Sequence, residues 1–418
     1  MATRTLNFKR TKFACYAAYF TMSSIFCLPP MLFVTFHETY GISYTLLGAL
    51  VVANFVTQLG IDLIFSAFSR CFPISKIVKI MPIITCLGLT LYALIPWLFP
   101  EYAYWGLLAG TIVFSMAAGF SEVLLSPTIA AIPSENPQRD MSMLHSLYAF
   151  GVLTTVAAGS VFLKIFGTEN WMYLTLILAV LPLIPAALFM CSPMPDMGTS
   201  EQTVSTGSSR QRIIGLALCV GCIFCGSCAE NAMSNWISGF METSLRIPKE
   251  LGDIFGMAGF AVLLGIVRIS YAKFGKKIAP LLLIGMLGAA VCYLVVGLST
   301  HVIPAFFACV LTGLFTSMLW PGTLILMEEN IPNAGVTAFA LMAAGGDLGA
   351  SVAPQLLGAV TDAVSASSFA AGSADPEQLG MKIGMLVCSL FPILGVITVI
   401  FTIRYFKKGI LTAQSYNK

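Results

Sequence analysis

The chain alternates long apolar segments with short polar ones, and the apolar segments have the length of membrane helices. A helix needs about 20 apolar residues to cross a bilayer. Segments of that kind occupy 13–36, 44–68, 79–99, 105–132, 142–166, 171–191, 213–240, 252–272, 279–299, 302–327, 336–361 and 380–403. The pattern predicts an all-α integral membrane protein with twelve transmembrane helices. An even number of crossings puts both termini on one side, and lysine and arginine choose which. With the N-terminus cytoplasmic, the inner segments collect most of the basic residues, from Arg4, Lys9, Arg10 and Lys12 to Arg404, Lys407 and Lys408. The outer segments then hold only Lys164, Arg246, Lys249 and Lys382. The expected location is the plasma (inner) membrane with both termini cytoplasmic. The basic start, MATRTLNFKRTK, runs straight into an apolar segment with no small-residue cleavage site. It reads as a retained first helix rather than a signal peptide.

The longest polar inner stretch, Cys191 to Arg212, is rich in Ser, Thr and Gly. Such composition makes a flexible linker. It divides the chain into an N-terminal six-helix bundle (1–190), a linker (191–212) and a C-terminal six-helix bundle (213–418). The halves carry traces of a repeat. Gly119, Pro127 and Gly151 recur as Gly313, Pro321 and Gly345 at one common spacing, and Leu59-Gly60-Ile61 recurs as Leu264-Gly265-Ile266. The order of these matches between corresponding spans predicts two pseudo-symmetric bundles, with a solute site near the midplane between them.

Composition narrows the class. Only 10% of the residues are charged, against about 25% in a soluble domain, and mean hydropathy is +0.88. Most of the surface therefore faces lipid. A net charge of +3 and the lack of a basic tract exclude nucleic acid as a partner. No Walker A, metalloprotease or Gly-x-Ser-x-Gly motif occurs, so no enzyme and no cofactor is expected. Cys219, Cys222, Cys225 and Cys228 repeat every third residue like a metal-binding run. On a helix they fan over about 180° rather than converge, so no metal is expected and the thiols read as small packing groups.

The informative residues are the polar ones inside apolar spans. Glu122 stands alone between Trp105 and Pro133. A charge near the centre of a membrane helix costs roughly 2.5–3.5 kcal/mol on insertion, and the fold has no need of it there. Its expected work is proton binding coupled to a solute, against the plainer reading of a hydrogen bond to a neighbouring helix. In span seven, Glu230 with Ser234 and Asn231 with Asn235 lie at i, i+4, giving a broad polar sector that ends in Trp236. In span two, Asn54, Gln58 and Asp62 form a stripe at i, i+4, i+8. Asp347 lies among Gly345, Gly346 and Gly349 in span eleven, and Arg268 lies toward the cytoplasmic end of span eight. The proton-coupling candidates are Glu122, Glu230 and Asp347. The solute-binding candidates are Asn54, Gln58, Glu122, Glu230, Asn231, Asn235, Trp236 and Trp320. Asp62 and Arg268 are candidates for a gating pair, with a duller alternative in which Arg268 reaches lipid headgroups. His145 and Tyr148 fit a helix interface better than a site. Pro29-Pro30 is expected to break or kink span one.

Several motifs point to a family. Gly119-Phe-Ser-Glu122-Val-Leu-Leu-Ser126-Pro127, Leu144-His145-Ser-Leu-Tyr148-Ala-Phe150-Gly151, Trp320-Pro321-Gly-Thr323 and Pro354-Gln-Leu-Leu-Gly358-Ala-Val-Thr-Asp362 resemble elements of the fucose–galactose–glucose/proton symporter family of the major facilitator superfamily. The resemblance implies a secondary transporter, often of sugars, with Glu122 near the solute and able to exchange a proton. That family's polar cluster in span one is missing here; the stretch reads Met22-Ser-Ser-Ile-Phe-Cys-Leu-Pro29-Pro30. Any second proton group is therefore expected at Glu230 or Asp347. The reading is a secondary active transporter of a small polar solute, sugar-like, working by alternating access and coupled to protons. One chain suffices, so a monomer is expected, with the lipid bilayer, the solute and the proton as partners. The alternatives are an exporter of amphipathic compounds and a membrane receptor on the same scaffold.

Overall fold

The computed structural model describes residues 8–68, 72–135, 137–195, 210–274, 277–331 and 335–416. The described chain is helical. In order it forms α1 (Lys9–Tyr40), α2 (Tyr44–Phe68), α3 (Ile74–Leu98), α4 (Ala103–Ala131), α5 (Pro137–Phe166), α6 (Trp171–Val180), α7 (Leu183–Met190) and α8 (Arg210–Gly239). There follow the short α9 (Lys249–Leu251), then α10 (Ala258–Phe274), α11 (Ile278–Leu298), α12 (Val302–Thr316), α13 (Leu319–Asn330), α14 (Gly335–Ser365), α15 (Pro376–Cys388) and α16 (Leu390–Tyr416). In hydrocarbon a backbone group finds no water, so each span satisfies its own hydrogen bonds as helix. Among the described residues ten helices are long and apolar enough to cross a membrane, and Phe150–Phe166 is a shorter apolar one. Every expected span coincides with a helix or a helix pair. Much of the linker, the Arg70 loop and the turn at Gly275-Lys276 lie outside the described residues.

Three spans are helix pairs, and each break has a proline just beyond it. α6 gives way to α7 before Pro185, α12 to α13 before Pro321, and α15 to α16 before Pro392. A proline lacks the N–H that would bond the carbonyl four residues earlier. Pro29-Pro30 behaves otherwise: α1 runs through both without interruption, so the expected break in span one does not occur. α1 ends instead at Gly41, whose left-handed φ of 65° and N–H bond to the His37 carbonyl make a C-cap. Asp375 caps α15 by accepting from the Gln378 N–H at 3.0 Å, with Pro376 at the first helical position.

The chain divides into two compact units, Met1–Ile42 with Ala53–Ser200, and Ser43–Val52 with Glu201–Lys418. The first unit is centred on an aromatic cluster. The Phe36 ring lies 4.9 Å from Trp171 and 5.9 Å from Tyr92, which in turn lies 5.7 Å from Phe114. The second unit has a core of Cys219, Ile223, Met327, Ile331, Ala338 and Met342, flanked by Trp320 and Phe406. Between α8 and α10 the chain widens into two π-helical turns, Phe240–Ser244 and Gly252–Met257. Asp253 there is fully buried; it accepts from the Ser238 hydroxyl and lies 3.7 Å from the Lys249 ammonium, which also meets Glu242 at 3.4 Å. Large exposed side chains such as Trp105, Phe274 and Ile303 belong to the lipid-facing surface that the composition requires.

Candidate functional site

The first unit builds its polar site from α1, α2 and α4. On α4 the exposed apolar residues Trp105, Ile112 and Met116 share one stripe. Glu122 is also exposed, but at about 100° per residue it lies roughly 100° from the middle of that stripe. It shares its own face with Thr111, Ser115 and Ser126. Glu122 thus opens onto accessible space from the polar side of its helix, away from the apolar stripe. It accepts no hydrogen bond among the described residues. Its carboxyl lies within Coulombic reach of the Asp62 carboxyl on α2 and the Tyr19 hydroxyl on α1.

The stripe on α2 is tied to that face. The Ser115 hydroxyl donates to Asn54 Oδ1 at 2.6 Å, and Gln58 Nε2 donates to the same oxygen at 3.1 Å. Close contact between α2 and α4 is possible because Gly119 has no side chain: a Cβ there would lie 2.9 Å from Ile61 Cβ. Gln58 is only 2% exposed, so its amide serves Asn54 rather than an open surface. Asp62 has one carboxylate oxygen, Oδ1, buried and without a hydrogen-bond partner among the described residues. Aromatic rings adjoin the site. Tyr148 packs edge-on against Tyr19 at 6.2 Å and Phe26 at 5.9 Å, and Phe26 lies 6.4 Å from Phe55. The His145 side chain lies outside the described residues.

In the second unit α8 carries the amide face. Asn231 Nδ2 donates to the Ser227 carbonyl at 3.1 Å and hydroxyl at 3.2 Å, and Asn235 Nδ2 donates to the Asn231 carbonyl at 2.9 Å. Both asparagines are half-buried. Trp236 is not part of that face. One position beyond Asn235 turns the side chain by about 100°, into the interior. It is 1% exposed, its indole N–H donates to the Pro354 carbonyl at 3.0 Å, and its ring packs 5.7 Å from Tyr44. Trp236, expected to contact a solute, is thus placed in the interior and presents no surface on that face. Trp320 is half-buried and seated on Gly346, where a Cβ would collide with the indole ring. That places Trp320 beside the Gly-Gly-Asp segment of α14, and Asp347 itself is half-buried.

Arg268, expected as a gating partner for Asp62, is held within its own unit. Its Nε donates to the Ser317 carbonyl at 2.9 Å, and its Nη2 lies 3.4 Å from Glu230 Oε1. The Ser317 carbonyl is the one that Pro321 leaves without a helical donor, at the join of α12 and α13. Arg268 thus connects three spans. The residues that sequence reading missed are Tyr19, Phe26, Phe55, Ser115 and the Ser317 carbonyl. Only the last had a local signal, the proline four positions downstream.

Among the described residues no group of three or more His, Cys, Asp or Glu side chains is placed to hold a metal ion. Cys219, Cys222, Cys225 and Cys228 are buried one by one along α8, and Cys222 Sγ meets the Thr402 hydroxyl at 3.3 Å.

The sequence pattern that describes the Major Facilitator Superfamily matches residues 13–354. No curated protein matches the chain by sequence. Several solved structures share its fold. A D-xylose–proton symporter superposes with a TM-score of 0.72 at 15% identity, covering 92% of this chain and 96% of its own. A bacterial homologue of the human lysosomal transporter Spinster, inward-facing and occupied, gives 0.70 at 15% identity, covering 95% and 97%. The fucose–proton symporter of E. coli gives 0.55 at 14% identity, covering 93% and 99%. Identities this low establish a common fold and nothing finer.

Proposed function

The chain belongs to the Major Facilitator Superfamily, and from that premise we propose that it is a proton-coupled secondary active transporter of a small polar, sugar-like solute, working by alternating access. The observation that carries the proposal is the setting of Glu122. It is an acid in an apolar span, open to accessible space from the polar side of α4, with no hydrogen-bond donor among the described residues. An intramembrane acid is retained at a cost of insertion, which a proton relay justifies. Glu122 takes and releases the proton, with Asp62 as the second carboxyl close enough to feel its charge.

Two further features support a sugar-like solute. In the second unit the half-buried amides of Asn231 and Asn235 offer donors and acceptors of the kind hydroxyl groups need. The edge-packed rings of Phe26 and Tyr148 offer an apolar surface beside a polar one. Each by itself suits a solute that has hydroxyls on its rim and C–H groups on its faces.

The test uses proteoliposomes with glucose, xylose and fucose as probes. The wild type is expected to accumulate one of them uphill on an inward proton gradient. Glu122→Gln is expected to keep counterflow exchange of that sugar and to lose uphill uptake. Uphill uptake that survives in Glu122→Gln would remove the proton role from this residue.

A further inference from the structure

The geometry points to Arg268 as the binding group for a carboxylate on the transported solute, with Glu230 as the counter-ion that gives way to it by taking a proton. The inference rests on the transport reading and narrows its solute to a polyhydroxylated carboxylate, a sugar acid rather than a neutral sugar.

Arg268 is the cation of an apolar span, and an ionisable group at that depth needs a partner and a purpose. Its partner is Glu230, 3.4 Å away, at the long end of a charged hydrogen bond. Its Nε edge is fixed by the Ser317 carbonyl at 2.9 Å. Those two contacts hold the guanidinium plane in place and engage only part of its five-donor fork. The side chain is 41% exposed. A planar fork of that kind matches a carboxylate in two parallel hydrogen bonds. Asn231 and Asn235 follow Glu230 on the same helix and carry half-buried amides. At about 100° per residue those amides occupy the sector of α8 adjoining Glu230, so a charged fork for one carboxylate and amides for hydroxyls are carried by neighbouring sectors of the same unit. A neutral hexose would leave the fork unsatisfied.

Charge balance ties the anion to a proton. The Arg268–Glu230 pair is neutral as a unit. A bound carboxylate would make it net negative where charge is poorly screened. One proton on Glu230 restores neutrality: the Glu230 carboxylate accepts H⁺, releases Arg268 Nη2, and Arg268 pairs with the solute. Glu230 Oε2 is buried and without a hydrogen-bond partner, a position from which an acquired proton has no competitor to displace. Other titratable groups adjoin this part of α8: Asp347 lies two positions before Gly349, where α14 packs on Phe224 and Ser227. The Tyr293 hydroxyl from α11 donates to the Ala229 carbonyl at 2.8 Å, and Cys228 and Cys388 are buried thiols.

The experiment compares matched pairs on the purified full chain in nanodiscs: gluconate with sorbitol, glucuronate with glucose, and galacturonate with galactose. Binding is read by thermal shift at pH 6 and pH 8. At least one carboxylate is expected to bind about 10- to 100-fold tighter than its neutral partner, the range of a charged hydrogen bond, and tighter at pH 6. Arg268→Lys keeps the charge but not the fork and should lose most of the preference. Glu230→Gln should bind the carboxylate with less dependence on pH than the wild type, and an unchanged pH dependence would overturn the role of Glu230. A panel in which no carboxylate outbinds its neutral partner overturns the inference, as does a preference that survives unchanged in Arg268→Lys. Uphill uptake of glucose, xylose or fucose in the same preparation would leave the transport reading standing while this one falls.

Discussion

Asp362 caps the N-terminus of α2 from a distant part of the chain: its carboxylate oxygens accept from the backbone N–H groups of Tyr44, at 3.0 Å, and Thr45, at 2.6 Å. The first turn of a helix presents unpaired donors and a partial positive charge, so an aspartate placed there satisfies both. The contact is reinforced on the same turn. The Tyr44 hydroxyl donates to Glu377 Oε2 at 3.0 Å, and Gly358 lies so close to the Tyr44 carbonyl that no side chain fits between them. This is why Ser43–Val52 packs with the second unit although the rest of α2 packs with the first.

Removing the carboxylate leaves two helix-start donors without acceptors. Asp362→Ala is expected to cost about 2 kcal/mol, in the range of a lost cap plus a charged hydrogen bond. Asp362→Asn keeps one acceptor and should cost less than half of that. Thermal unfolding in detergent, followed by a buried tryptophan signal, separates the two. An alanine variant as stable as the wild type would mean the cap contributes nothing.

Asp140, in the first turn of α5, supplies a pH-dependent tie to α1. The Lys12 ammonium bonded to it, with the Ser134 hydroxyl at 2.6 Å and Tyr16 at 3.4 Å, holds its carboxyl below the usual carboxylate range. Because the folded value is depressed, the stabilisation is present above the unfolded value of about 3.9 and is lost as pH falls through the folded value. Asp140→Asn should therefore be less stable than the wild type at pH 7, and the two should converge as pH falls below the folded value. Both partners are partly exposed to solvent, which keeps the difference small. A gap that stays constant from pH 7 to pH 3 would contradict the assignment.

The sequence was most readable where one residue conflicts with its surroundings. Glu122 declared itself by being an acid in an apolar span, and the amide face of α8 by its i, i+4 spacing. What could not be read was pairing between helices. Arg268 meets Glu230 and Ser317 across three spans, and nothing along any one of them says so. The burial of Trp236 was illegible for a related reason: adjacency to Asn235 in sequence is a turn of about 100° in space. Ser115 and Tyr19 looked ordinary because small hydroxyls and aromatic residues are common in membrane helices, and their place near Glu122 depends on how α1, α2 and α4 cross. The twelve spans were legible because hydrocarbon imposes a length and a composition that few other settings share.

The repeated glycines mark such crossings and invite a direct test. At Gly151 a Cβ would press on the Phe20 carbonyl and the Ser23 hydroxyl of α1, and at Gly313 on the Phe260 carbonyl of α10, both well inside 3.0 Å. A backbone carbonyl cannot rotate aside, so the helices themselves must separate. Gly151→Ala and Gly313→Ala should each destabilise by about 1–3 kcal/mol, the range for overpacking. Gly60→Ala meets nothing within 4 Å and serves as the control. Equal stability of all three variants would show that these contacts yield without cost.

The tie between Arg268 and Ser317 yields the sharpest prediction, because its cause can be removed. Pro321 denies the Ser317 carbonyl its helical donor, and Arg268 Nε replaces that donor at 2.9 Å. Pro321→Ala restores a backbone N–H at the fourth position, so the carbonyl no longer needs the guanidinium. In that background Arg268→Gln should lose about 1 kcal/mol less than it does alone, the worth of one hydrogen bond to a buried acceptor. Unfolding midpoints of the four proteins in a double-mutant cycle measure the difference. Charge is a separate matter: Pro321→Ala returns no cation beside Glu230, so the double variant should recover stability without recovering uptake. Strict additivity of the two substitutions would mean that Arg268 does not stand in for the missing N–H, and the join of α12 and α13 would need another support.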